Sequence, residues 1–156
     1  MENGKDSDKC MSSWVLPQVL LKIKVRLIFQ MSSRTILLVD DDPLIRQLGG
    51  ELLEQMGFRV ATAGDAYQAL EAFHRLEGAD LVILDYELPG MDGYQLFQEL
   101  RGLDGGVRVL MASGFLSRQE EARLRQSGVQ GIIYKPFRLG ALQQRIRAAL
   151  AVDPGD

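Results

Sequence analysis

The chain contains one cysteine, Cys10, near its start, so no disulfide framework can be drawn from it, and a reducing compartment fits best. Long apolar runs are also missing. Val15 to Phe29 is rich in aliphatic residues, but Pro17, Lys22, Lys24 and Arg26 interrupt it, leaving no uncharged stretch of about 18 residues for a membrane span. The same segment lacks the uninterrupted apolar core and small-residue cleavage site of a secretory signal. The expected localisation is therefore cytoplasmic. A basic excess is missing as well: 18 Lys and Arg face 21 Asp and Glu, a formal net charge of -3. Residues 1–33 carry five basic and three acidic residues, whereas residues 34–156 carry thirteen and eighteen. An acidic domain is a poor match for a polyanion, so no direct nucleic-acid contact is expected.

Lysine is nearly absent from most of the chain. The leader has four Lys and one Arg, but after Met31 there are twelve Arg and only Lys135. The change marks a composition boundary. The expectation is a leader over 1–33, disordered or the product of a start assigned upstream of Met31, with a basic surface-binding arm as its rival; a domain over 34–151; and a tail over 152–156. Keeping one Lys among arginines points to a site that needs a compact ammonium rather than a planar fork.

The chain's 156 residues, 46% hydrophobic and 25% charged, give room for one domain with a sizeable core and little for two. From Thr35 onward, short aliphatic runs alternate with longer helical patterns, the mark of repeated βα units and a doubly wound parallel sheet. Five strands are expected: Thr35 to Val39, Phe58 to Thr62, Asp80 to Leu84, Val107 to Met111 and Gly131 to Tyr134. The first, third and fourth are nearly all apolar, as central strands buried on both faces should be. Five helices are expected between and after them. Leu44, Ile45, Leu48, Leu52, Leu53 and Met56 mark the first, with Asp42 as N-cap, Pro43 at N1 and Gly57 past the end. Ala66 to Phe73, Tyr94 to Leu100, Leu116 to Gln126 and Leu139 to Leu150 mark the others. Gly49-Gly50 inside the first helix is a local conflict, since an interior Gly costs roughly 1 kcal/mol relative to Ala.

In an open α/β sheet, ligands collect at the carboxyl ends of the strands. There the sequence puts Asp40, Asp41 and Asp42 after the first strand, Asp85 after the third, Ser113 after the fourth and Lys135 after the fifth. Carboxylates so close would resist ionising together unless a cation joined them. Oxygen ligands of this kind suit a hard divalent ion, and Mg2+ suits a site that also holds phosphate oxygens and water. Asp42 before Pro43 reads as a helix cap rather than a ligand, and Asp92-Gly93 as a turn and cap. His74 reads as a solvated helix residue rather than a phosphorelay histidine.

The segments Leu38-Val39-Asp40-Asp41-Asp42-Pro43, Leu84-Asp85-Tyr86-Glu87-Leu88-Pro89-Gly90-Met91-Asp92-Gly93, Met111-Ala112-Ser113-Gly114 and Lys135-Pro136-Phe137 together resemble a response-regulator receiver domain of the single-domain, chemotaxis type. The resemblance covers roughly residues 34–151. It implies a flavodoxin-like sheet of order 2-1-3-4-5, with Asp85 as phosphoacceptor and Mg2+ held by Asp40, Asp41, Asp85 and the backbone carbonyl of Glu87. Ser113 would bind a phosphoryl oxygen after transfer. Lys135 would pair with Asp85 at rest and with the phosphoryl group afterwards, its bond to Pro136 being cis. The phosphoryl group would come from a sensor histidine kinase or a histidine phosphotransfer protein. The readout to a downstream protein would be the face of the domain's fourth helix, fifth strand and fifth helix. Such a chain would be no enzyme beyond its own phosphorylation and dephosphorylation.

Two positions depart from that pattern. The usual aromatic switch residue, three before the lysine, is Ile132, and adjacent Tyr134 and Lys135 should point to opposite strand faces. Glu87 and Phe115, two residues beyond Asp85 and Ser113, imply an altered phosphoryl lifetime. Alternatives are a phosphoryl sink or a receiver module of a hybrid kinase, of which Ser113-Gly114 is reminiscent. From another class, an aspartate-nucleophile phosphohydrolase would share the chemistry, but an Asp-x-Asp-x-Thr pattern is absent at Asp85-Tyr86-Glu87.

Overall fold

The computed structural model describes residues 15–25 and 34–151. The chain divides into two units, 1–33 and 34–156. In the first, residues 15–25 form helix α1. This is a sixth helix where five were expected. Pro17 falls in its first turn, where a missing N–H costs nothing, and the Lys residues that argue against a membrane span are good helix formers. The other expectations for the leader, and the tail at 152–156, lie outside the described residues.

The second unit alternates strictly: β1 (Thr35–Val39), α2 (Pro43–Gln55), β2 (Arg59–Ala63), α3 (Ala66–Arg75), β3 (Leu81–Asp85), α4 (Gly93–Leu103), β4 (Val109–Ser113), α5 (Arg118–Ser127), β5 (Gly131–Tyr134) and α6 (Leu139–Ala151). All pairings are parallel, in the order β2-β1-β3-β4-β5. Every residue of β3 and β4 is buried, as are four of the five in β1, because helices cover both faces of these central strands.

Strands β2, β3 and β4 start and end one or two residues later than their apolar runs suggest. Backbone pairing does not require an apolar side chain, so Asp85 pairs in register with Ala112 and Ser113 with Tyr134. The two polar residues are thus strand members, fixed by the sheet rather than carried on loops.

Helix starts follow side-chain chemistry. Asp42 accepts from the amides of Leu44 and Ile45, with Pro43 at the first helical position. Asp92 with Gln95 and Ser117 with Glu120 form capping boxes, which is why α5 opens at Arg118 rather than at Leu116. Both Gly49 and Gly50 are buried on the sheet side of α2. A Cβ on Gly49 would come within 2.9 Å of Leu38 Cδ2, so close packing against β1 accounts for that glycine, whereas Gly50 has ordinary room. His74 is exposed on α3.

Candidate functional site

Three neighbouring strands, β1, β3 and β4, end side by side and deliver Asp40, Asp85 and Ser113 to one rim, with β5 leading into Lys135 beside them. Asp40, Asp85 and Ser113 are 1%, 3% and 0% exposed, and they are the buried polar residues among those described. Burying carboxylates is costly unless they are paired. Here Lys135 Nζ donates to Asp40 Oδ2 at 2.6 Å and to Asp85 Oδ2 at 2.8 Å. The bond to Asp40 joins residues 95 apart in sequence, and no local pattern announces it.

Backbone amides hold the remaining oxygens. Asp85 Oδ1 accepts from the Glu87 amide at 3.0 Å, and Asp40 Oδ1 from the Asp42 amide at 2.9 Å. Arg46 Nη1, from α2, donates to the carbonyls of Asp40 at 2.7 Å and Asp41 at 3.0 Å, clamping the acidic loop onto its own helix. The Glu87 side chain is exposed, and Asp42 is engaged as a cap rather than turned toward the site.

The charges respond to this enclosure. Burial pushes the Asp85 carboxyl above the ordinary carboxylate range, against hydrogen bonds from Lys135 and Glu87 that pull it down. Burial opposes the Lys135 ammonium too, but its bonds to Asp40 and Asp85 outweigh that, and it lies above the usual lysine value. One ammonium supported by two carboxylates stays charged; each carboxylate receives only a share of it, and Asp85 also feels Asp40.

Oxygens of Asp40, Asp41 and Asp85 lie within 4.8 Å of one another, with Asp41 exposed. This all-carboxylate donor set, open on the Asp41 side, fits a hard divalent cation and does not suit a soft one. Ser113 is directed elsewhere: its hydroxyl donates to the Phe115 carbonyl at 2.7 Å and accepts from the Phe115 amide at 3.2 Å. The Lys135–Pro136 peptide is cis.

A model of the response regulator receiver domain matches residues 36–147. The chain belongs to the response-regulator receiver domain family. Among relatives, it is 38% identical over 115 residues to the DNA-binding response regulator MtrA of Mycolicibacterium smegmatis, covering 74% of this chain and 50% of that protein. It is 34% identical over 111 residues to the sensor histidine kinase RcsC of Salmonella typhi, covering 71% of this chain and 12% of the kinase. The chain thus spans half or less of these relatives' lengths. Among solved structures, the response regulator protein TrrA of Thermotoga maritima, in complex with Mg(2+)-BeF, superposes with a TM-score of 0.67 at 29% identity, over 75% of this chain and 99% of that one.

As a receiver domain, the chain has two links from the acidic rim to α5. Tyr86, next to Asp85, donates its hydroxyl to Glu120 Oε1 at 3.3 Å, and Glu120 also closes the α5 capping box. Ser113, the last residue of β4, bonds to Phe115 in the connection from β4 to the same helix. Ile132 is buried in the core shared with Met111, Leu116 and Leu124, so the position three before Lys135 holds a packing residue. Tyr134, two residues on and hence on the same strand face, is 47% exposed and interacts with Glu121 of α5. Among the described residues, no helix is long and apolar enough to cross a membrane.

Proposed function

We propose that this receiver takes a phosphoryl group on Asp85 from a phosphohistidine of a sensor histidine kinase or histidine phosphotransfer protein, and signals through the α5, β5 and α6 face to a downstream protein. The observation carrying this reading is Lys135 Nζ bridging two buried carboxylates at adjacent strand ends. An Asp oxygen attacks phosphorus, the P–N bond breaks, its electron pair goes to the imidazole nitrogen, and a proton completes the released histidine.

Asp40, Asp41, Asp85 and the Glu87 carbonyl would hold Mg2+, which when bound supplies positive charge to phosphate oxygens. Lys135 neutralises the phosphorylated Asp85, and the Glu87 amide steadies its other oxygen. Ser113 can bond a phosphoryl oxygen only after its hydroxyl leaves the Phe115 carbonyl. That exchange reshapes the loop feeding α5, giving the modified state a contact that the resting state lacks. Beside the rim, a groove of about 240 Å3 lined by Ile45, Leu48, Leu52, Lys135, Pro136 and Phe137 offers an apolar seat for the phosphodonor protein. The domain would span 34–151 and act as a signalling module rather than a turnover enzyme, in a cytoplasmic setting.

The test is intact mass after incubation with Mg2+ and a small phosphodonor. Wild type is expected to gain one phosphoryl mass and Asp85→Asn none. No adduct on wild type, with a silent beryllofluoride titration, removes the reading. Steady hydrolysis of a phosphorylated metabolite would instead favour a phosphohydrolase.

A further inference from the structure

The charge of the domain is strongly divided along its length. Residues 34–106 carry five basic and fourteen acidic residues, while residues 107–151, from β4 to α6, carry eight and two. Both acids in the second stretch are engaged locally: Glu120 with Ser117 and Tyr86, Glu121 with Arg125 and Tyr134. Arg123 lies over the Tyr94 ring at 3.7 Å and Arg125 pairs with Glu121. Arg118, Arg138, Arg145 and Arg147 have no hydrogen-bond, ion-pair or ring partner among the described residues.

Two of these share a groove. Arg138, just before α6, and Ala141 and Arg145 within it follow one stripe at helical spacing, and together with Ile132, Ile133, Tyr134, Lys135 and Pro136 they line a groove of about 360 Å3 outside β5. Because β5 ends the sheet order, this groove runs along an open edge. Tyr134 supplies an aromatic body at its border and the arginines supply donor forks that no described residue neutralises. Forks of this kind match carboxylates in two-point geometry.

We propose that this groove is the docking site for an acidic polypeptide segment of the downstream partner, seated by Arg138 and Arg145 with an apolar side chain against Tyr134 and Ala141. The inference rests on the receiver reading and names the chemistry of its output partner. A second copy docked isologously is disfavoured, since it would set the arginine stripe against itself. Nucleic acid is disfavoured by the fourteen acids of the rest of the domain, whose field opposes a polyanion.

The experiment uses the full chain and three labelled probes: a synthetic peptide with Asp and Glu flanking a Leu-Phe pair, its Asn/Gln counterpart, and a short DNA duplex. Anisotropy is read at low and physiological ionic strength. The acidic peptide is expected to bind best, with affinity falling as salt rises. Combined Arg138→Glu and Arg145→Glu should weaken it roughly tenfold, the two contacts being replaced by repulsion. Arg147→Glu carries the same change of sign per residue off the stripe and should shift affinity by no more than about twofold. Equal losses from both sets, no preference for the acidic peptide, preferred binding of DNA, or dimerisation that the groove variants abolish would each overturn the inference. Intact mass on the same proteins separates the two levels. Asp85 adduct formation with an indifferent groove removes the docking site alone, and a responsive groove without adduct removes the phosphoacceptor reading alone.

Discussion

Replacing Lys135 by Met keeps most of the stem and removes the charge that joins Asp40 to Asp85. Both carboxylates are nearly inaccessible, at 1% and 3%, so water cannot take over the role of the ammonium without rearrangement. Their oxygens lie within 4.8 Å of one another. Two unit charges at that separation repel by about 3.5 kcal/mol at an effective dielectric constant near 20. Partial neutralisation of Asp85, whose carboxyl burial already pushes upward, limits the loss, and a net destabilisation of about 3 kcal/mol is expected. For a domain of this size that corresponds to a fall in melting temperature of roughly 12 °C.

Divalent metal supplies the control. Mg2+ at about 100 times its dissociation constant stabilises the folded state by about 2.7 kcal/mol, close to the whole deficit. A cation held by Asp40, Asp41 and Asp85 would share two of its carboxylates with Nζ in the wild type and would not in Lys135→Met. The melting temperature of the variant should therefore rise more steeply with Mg2+ than that of the wild type, measured by scanning calorimetry across a metal titration, with K+ at matched ionic strength as reference. An unchanged melting temperature without metal would refute the claim that Lys135 neutralises the pair. A destabilised variant that Mg2+ leaves unimproved would refute the assignment of these oxygens to a metal.

Gly93→Ala should lower stability by about 2 kcal/mol and reduce the yield of Asp85 adduct, because an added Cβ would strike the Asp85 carbonyl and come within 2.7 Å of Tyr86 Cα, backbone that cannot rotate away. Denaturant titration and intact mass check the two effects, and an Ala variant equal to wild type in both would show that the loop has slack. Tyr86→Phe should leave melting temperature and adduct yield nearly unchanged while weakening the phosphorylation-dependent change in hydrogen exchange over α5, since only the bond to Glu120 is lost. An undiminished α5 response in that variant would exclude this link.

The fold was legible because its signals are local and repeated. Ile36-Leu37-Leu38-Val39 and Leu81-Val82-Ile83-Leu84 could hardly be anything but strands covered on both faces, and Asp42-Pro43 and Asp92-Gly93 announce helix starts by their own chemistry. Boundaries were less legible, since the ladder runs through Asp85 and Ser113 after the apolar pattern has stopped. Helix α1 was missed because its charges were weighed against a membrane rather than for helical propensity. The grouping of Asp40, Asp85, Ser113 and Lys135 could be read from their common place at strand ends, whereas the second bond of Lys135 and the Ser113 bond to Phe115 depend on side-chain directions that spacing does not encode.

Ile132 makes those directions consequential. A buried Ile among Met111, Leu116 and Leu124 offers no hydroxyl to follow a moving Ser113, and the packed core around it leaves no space for a larger ring without strain. In the proposed mechanism a change of charge at Asp85 would reach α5 through polar contacts that start beside it: Tyr86, its chain neighbour, to Glu120 of the capping box, and the Ser113 to Phe115 turn that leads into Ser117. Both converge on the first turn of α5. In the same turn, Glu121 meets Tyr134 and Arg125 beside the arginine groove. Both contacts bear on the start of a helix whose inward anchor is Leu124, its one buried residue, so on this proposal a small local exchange would shift α5 without a ring flip through the core.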